Sequence, residues 1–273
     1  MNLRLTYLLL LLGGLCFTAC DAEPDGDEGM DDDDAVVVDD TAAAAAANKK
    51  YGFEPFGPHE PYPDASITNV TYRNGTFNFG INNYELGVQT PDADQLMCAN
   101  SEKGQHIHLI LDNEPYIAKY EPSFAQEVGD GEHHILAFLS RSYHESIKTP
   151  QAHRAMKVNV SGGSFTDPEP INEPMLFYSR PKGTYVGKDT EKIMLDFYPV
   201  RAQLGDTFKV KVNINNEQEE LVSEWQPYAI TGLPMGDNVI ELTLVDAEGN
   251  TVDAPLNPVR RTFTLKEDPA ESM

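Results

Sequence analysis

Basic residues are scarce in this sequence: 20 Lys and Arg stand against 44 Asp and Glu in 273 residues, a formal net charge of −24. Neutralising phosphates takes clustered Lys and Arg, so nucleic acid is not an expected partner. Docking on an anionic membrane surface through a basic patch is excluded for the same reason. Cysteine is scarcer still, at three. Cys16 and Cys20 both fall in the N-terminal segment discussed next, which leaves Cys98 as a lone thiol without an intrachain disulfide partner. Helical periodicity is weak outside the tract Ala42 to Ala47. The sequence has no phosphate loop, no dinucleotide fingerprint and no Gly-x-Ser-x-Gly elbow. Its many acids cannot be matched into a catalytic pair by spacing alone. A hydrophobic fraction of 40 % is nonetheless enough for a folded core.

Residues 1–20 read as a secretory signal, with Arg4 as the charged start and an apolar stretch from Tyr7 to Phe17 that is short for a membrane span. The stretch ends in Phe17-Thr18-Ala19-Cys20, which resembles the bacterial lipobox with Phe where Leu is usual. That likeness implies lipidation of Cys20, and more than one acyl chain gives stable anchoring. Residues 21–40 carry eleven acids and no base. Like charges in a block repel and stay solvated, so 21–61 reads as a disordered acidic and alanine-rich tether. An acidic run after a lipidated cysteine also resembles the surface-export signal of Bacteroidota lipoproteins. It implies an outer-membrane, lipid-anchored location at the cell surface.

The body contains an internal repeat. An offset of 105 pairs Tyr120-Glu121-Pro122 with Trp225-Gln226-Pro227, Ile135 with Ile240, and Leu139 with Leu244. Upstream the offset is 103, pairing Ile107 to Glu114 with Val210 to Glu217. Period-2 runs such as Lys209 to Ile214 and Val239 to Val245 alternate with turn residues, the pattern of antiparallel sandwiches. We therefore expect an all-β chain with two tandem immunoglobulin-like β-sandwich domains. The first would span 62–160 with an insertion at 88–105, and the second 173–265. A linker at 161–172 would join them, and 266–273 would form a tail. Counted separately, the first has 12 acids and 7 bases and the second 14 and 9, so each domain is only mildly acidic.

The repeat assigns faces. Val210, Val212 and Ile214 point inward in the second copy, which makes Ile107, Leu109 and Leu111 core in the first. His106, His108 and Ile110 then face outward, as do His134, Leu136 and Phe138 on a later strand. Where the second copy has Lys, Asn, Glu and Thr, the first has apolar residues beside histidines. Either the 88–105 insertion or the partner domain covers this face, or it is a binding surface for a protein, peptide or glycan. All seven histidines lie before residue 154. His106 and His108, two apart on a strand, project to one side about 7 Å apart. With His134 and the Cys98 thiolate they form a candidate zinc or copper site. The alternative is ordinary hydrogen-bonding histidines under a loop. Ser142-Tyr143-His144-Glu145-Ser146 reads as a turn rather than a catalytic loop, because sequence neighbours seldom form a nucleophile–base pair. Asp112-Asn113-Glu114 and Asn215-Asn216-Glu217 read as hairpin turns rather than calcium loops. The aromatics Tyr120, Phe124, Trp225 and Tyr228 read as packing residues rather than a sugar platform.

Several segments are similar to a family of largely uncharacterised Bacteroidota lipoproteins. They are Asn83 to Thr90, Cys98 to Ser101, Lys103 to Leu111, Leu139 to Ser146 and Tyr178 to Tyr185. Some members of that family are labelled phosphopeptide-binding. The likeness covers 62–265 and implies secretion and a β-rich body, with no established reaction. The phosphopeptide label would need Arg141, Arg154 and Arg180 gathered by the fold. The sequence thus points to a non-catalytic, surface-anchored binding or scaffold module with its ligand face on the first domain and no cofactor. Its rival is a zinc- or copper-binding protein using the histidine face.

Overall fold

The computed structural model describes residues 49–270, apart from 58, 60, 61 and 97. The signal segment, Cys20 and most of the expected tether lie outside the described residues. The chain is all-β, with only two short 3₁₀ turns among the described residues. None of its described helices is long and apolar enough to cross a membrane.

The strands form two sandwiches. In the first, a sheet of Ser66–Arg73, Thr76–Asn82 and Ser123–Ala125 packs on a five-stranded sheet. That second sheet runs in the order Ile117–Lys119, His106–Leu111, Gly131–Ser140, His153–Ser161 and Ser164–Pro170. Ile67, Tyr72, Phe77 and Phe79 meet Ile107, Leu109, Ala137 and Leu139 between the layers. In the second sandwich, Gly52–Pro55, Tyr228–Thr231, Ile193–Val200 and Met175–Arg180 make one sheet. Gly183–Val186, Val259–Lys266, Gly236–Asp246, Phe208–Ile214 and Gln218–Val222 make the other.

The repeat reappears as register. Ile107, Leu109 and Leu111 pair with Leu139, Ala137 and Ile135. Val210, Val212 and Ile214 pair with Leu244, Leu242 and Ile240 in the same order. The connecting turns also match: Asp112 and Asn113, like Asn215 and Asn216, adopt the left-handed conformation that two-residue hairpins need. Both turns close hairpins, and Asp112 accepts hydrogen bonds from His133 Nδ1 and the His134 backbone N–H.

Two expected boundaries are corrected. The tether does not extend to residue 61. Gly52–Pro55 pairs antiparallel with Tyr228–Thr231, and Tyr51 and Phe56 are buried. The second sandwich therefore includes residues from before the first, so the two domains are not simply tandem. Burial of the Tyr51 and Phe56 rings stabilises this strand. The linker 161–172 is also mostly strand. Gly162 and Gly163, both at positive φ, close a hairpin whose second arm, Ser164–Pro170, is the edge of the first domain's sheet.

The largest correction concerns the outward face of the first domain. Ile110, Leu136 and Phe138 are fully buried, packed against Met175, Phe177, Tyr198 and Val200 of the second sandwich. Phe138 stacks on Tyr198 with centroids 5.3 Å apart, and Tyr198 meets Trp225 edge-on at 4.5 Å. The expected ligand face is thus core between the domains. Strand periodicity explains the partner side. Leu195 and Phe197 point into the second sandwich while Met194, Asp196, Tyr198 and Val200 point toward the first. Continuous apolar runs such as Met175 to Tyr178 are the signature of strands covered on both sides. The insertion 88–105 packs elsewhere, setting Ala93, Leu96 and Cys98 beside Phe56, Tyr143, Met194 and Ala229.

Polar groups lock the same junction. Asn113 donates from Nδ2 to Leu176 O at 2.8 Å and accepts from Tyr178 N at 2.8 Å. Asp196, wholly buried, pairs with Lys148 at 2.5 Å and accepts from Ser146 N at 2.9 Å. A buried carboxylate held this way orients the two partners even where its net stabilisation is small. Phe138→Ala should lower stability by about 3–5 kcal/mol. Leu221→Ala, at a strand position 56 % exposed, should change it by less than about 0.5 kcal/mol. Guanidinium midpoints for the two variants check this, and equal midpoints would contradict the shared core.

Candidate metal centre

His106 and His108 lie on the strand His106–Leu111, with both rings on the face turned to the second domain. Both are fully buried. His106 Nδ1 lies 2.8 Å from Gly104 O. A carbonyl only accepts, so Nδ1 carries the proton and Nε2 presents a lone pair. Gly104 is the one residue type that fits there: its φ is +80°, and a Cβ would lie 2.4 Å from Val88 O. His108 stacks face to face on Tyr116, centroids 3.6 Å apart at 10°.

The third imidazole comes from the loop after Gly131–Ser140. His144 has φ +70°, a left-handed position that histidine tolerates better than most side chains. This aims its ring back at the strand. His144 N donates to Arg141 O at 2.9 Å, and Arg141 N donates to Glu145 O at 2.9 Å. Beneath the loop, buried Glu145 accepts from Arg141 Nε at 3.2 Å and pairs with His59 Nδ1. The insertion completes the clamp. Ser142 N donates to Thr90 Oγ1 at 2.8 Å, Thr90 N donates to Ser142 Oγ at 3.2 Å, and Ser101 N donates to Ser142 O at 2.9 Å. The role of 88–105 is therefore to hold this loop, not to cover the apolar face.

Three ring nitrogens converge. His106 Nε2 is 2.8 Å from His108 Nε2 and 3.0 Å from His144 Nδ1, and the last two are 3.4 Å apart. Tyr116 Oη lies 3.3 Å from His144 Nδ1. Neutral imidazoles satisfy this triangle poorly. The His106 nitrogen has one lone pair for two neighbours, and a proton on His108 Nε2 strips the one from His108 Nδ1, which is buried without a partner. A zinc ion would be held by His106 Nε2, His108 Nε2 and His144 Nδ1, three protein ligands of the kind that leave zinc a coordination position for a further group. Burial keeps the set deprotonated. It pulls His106 down to about 4, and His108 and His144 well below the ordinary value, helped by Arg180.

The structure reassigns the expected ligands. His106 and His108 are brought together. His134 is not, because the antiparallel register sets it level with Asp112 rather than with His106, which pairs with Ser140. Six residues along a strand is about 20 Å. Cys98 is half-buried beside Phe56 and Tyr143 and is not one of the converging donors. Burial pushes its thiol up to about 11, away from the thiolate a metal would need. His144 takes the vacant role. Its signal is a histidine in a turn directly after a strand of the same face. The arginines are not gathered either: Arg141 pairs with Glu145, Arg180 reaches Tyr143 O, and Arg154 lines a separate cleft with His153 and Arg201.

Each histidine that is neutral in the fold but protonated in the unfolded chain destabilises the fold as pH falls. For His106 the window runs from 6.5 down to about 4, at about 1.4 kcal/mol per pH unit. The metal-free chain should therefore lose melting temperature as pH falls below about 7, opposed by His133, where burial is outweighed by the hydrogen bond and charge of Asp112, which raise it. The slope should shrink by one proton in His144→Ala. Thermal scans between those pH values check it. A slope unchanged in His144→Ala would show that this ring does not titrate as described.

No family model matches the chain, and no curated protein does. Solved structures similar to it include the fibronectin(III)-like modules of Clostridium thermocellum CbhA, at 15 % identity and TM-score 0.27, covering 34 % of this chain and 99 % of that one. The chicken interferon gamma receptor alpha chain matches at 10 % identity and TM-score 0.21, covering 73 % and 97 %. A Bacteroides ovatus mixed-linkage glucan utilization locus protein, SGBP-B, solved with a heptasaccharide, matches at 8 % identity and TM-score 0.19, covering 79 % and 71 %. Likeness at this level says nothing about a ligand.

Proposed function

We propose that this chain is a non-catalytic, lipid-anchored module of the outer membrane that binds a transition-metal ion, zinc or copper, on His106, His108 and His144. One observation carries the reading: three buried imidazole nitrogens from a strand and a clamped loop converge within 3.4 Å of one another. The donor set fits. Imidazoles suit zinc and copper, and neutral rings need lose no proton to bind. The Gly104 carbonyl orients His106 as the outer partner of a metal ligand does. The anchor reading is supported by Phe17 to Cys20 and the acidic run after it.

The test uses the full chain, purified in detergent. It should retain one zinc or copper ion per chain after dialysis, measured by elemental analysis and calorimetry. His106→Ala and His144→Ala should each weaken binding by more than about 100-fold, beyond what loss of an outer-shell partner costs. His134→Ala and Cys98→Ser should bind as the parent does. Failure of the parent to bind zinc or copper, or binding unchanged in His144→Ala, would overturn the reading.

A further inference from the structure

The charge around the three histidines is unbalanced. Two buried cations have carboxylates, Arg141 with Glu145 and Lys148 with Asp196, while buried Arg261 is satisfied by the carbonyls of Tyr178, Ser179 and Asn113. Arg180 has no carboxylate among the described residues. It is 4 % exposed. It donates from one terminal nitrogen to Tyr143 O at 2.9 Å and from the other to Tyr185 Oη at 3.0 Å, and its Nε has no acceptor. Lys182, half-buried two residues on, holds its ammonium 4.1 Å from the centroid of the Tyr116 ring and likewise has no carboxylate partner among the described residues. Tyr116 is the ring that stacks on His108 and reaches His144, and Tyr143 precedes His144 in the chain. The two cations therefore flank the trio.

A buried guanidinium without a counter-ion is costly. Adding a metal ion to three neutral ligands raises the positive charge further. A negative group entering with the ion would offset part of that charge. The ring stack shields one side of His108, while Lys182 and His144 are only partly buried.

We infer that the fourth position of the ion is filled by a small anion of the carboxylate or phosphate class, with Arg180 and Lys182 supplying its counter-charge. The inference rests on the metal reading above. It makes the site a place where an anionic group from solution would be captured on a protein-held metal: the ion would supply an open coordination position, and Arg180 and Lys182 nearby positive charge.

Cobalt(II) separates the two readings, because its visible absorption reports coordination. The full chain is loaded with cobalt(II), then titrated with acetate and with inorganic phosphate. One of these should change the visible spectrum saturably at millimolar concentration. In Lys182→Met the cobalt should still bind one per chain, while the anion's affinity falls by about tenfold or more. Lys182 is half-buried and makes no hydrogen bond that the fold depends on, and Arg180→Lys serves as a second variant with the same expected direction. If cobalt binds through the three histidines but neither anion alters its spectrum, the inference fails and the metal site stands. It fails equally if Lys182→Met and Arg180→Lys both keep the parent's anion affinity. If cobalt does not bind at all, both fall.

Discussion

The docking of one sheet's outer face onto the neighbouring sandwich governs the rest of this molecule. Ile110, Leu136 and Phe138 meet Met175, Phe177 and Tyr198, and the sheet between them is buried on both sides. The burial extends to the end of the face that carries His106 and His108. Two histidines on an exposed strand would titrate near their ordinary value and be hydrated. Under the second domain they are held neutral, with nitrogens that water no longer satisfies. The contact that removes the expected binding surface is the same one that creates a candidate metal centre.

The chain commits much of its irregular structure to one loop. The insertion 88–105, the buried Glu145 and the segment carrying His59 all bear on residues 141–146. A left-handed histidine is a strained choice that persists only when its surroundings over-determine it. Here backbone bonds, a reciprocal Thr90–Ser142 pair and a buried ion pair do so. That many restraints are out of proportion for a turn joining two strands, and they are intelligible if the ring of His144 must arrive at a defined point.

Part of this is legible without coordinates. The all-β class follows from period-2 runs, and the offsets 103 and 105 are the strand registers of the two repeats. Ile107, Leu109 and Leu111 can be placed inward because Val210, Val212 and Ile214 show the pattern more plainly. The neighbouring pair His106 and His108 is visible as a shared projection. His134 is misplaced by the same reasoning, because alternation gives the face of a residue but not its height along the strand. His144 escapes it, because a turn's sequence does not say which way a left-handed residue will aim its ring. Gly162-Gly163 looks like a linker because hairpin turns and flexible joints use the same residues.

What the sequence determined by itself is local: strand periodicity, turn chemistry, an apolar face where its repeat is polar, and the separation of the acidic N-terminal run from two mildly acidic domains. These follow from interactions between residues a few positions apart, or from comparing one copy with the other. The tertiary structure alone decided what covers that face, which third histidine joins the pair, and that Arg180 and Lys182 stand beside them without a carboxylate. Those facts depend on contacts between residues far apart in the chain, 38 positions for His106 and His144 and 65 for Asn113 and Tyr178, which sequence spacing does not reveal.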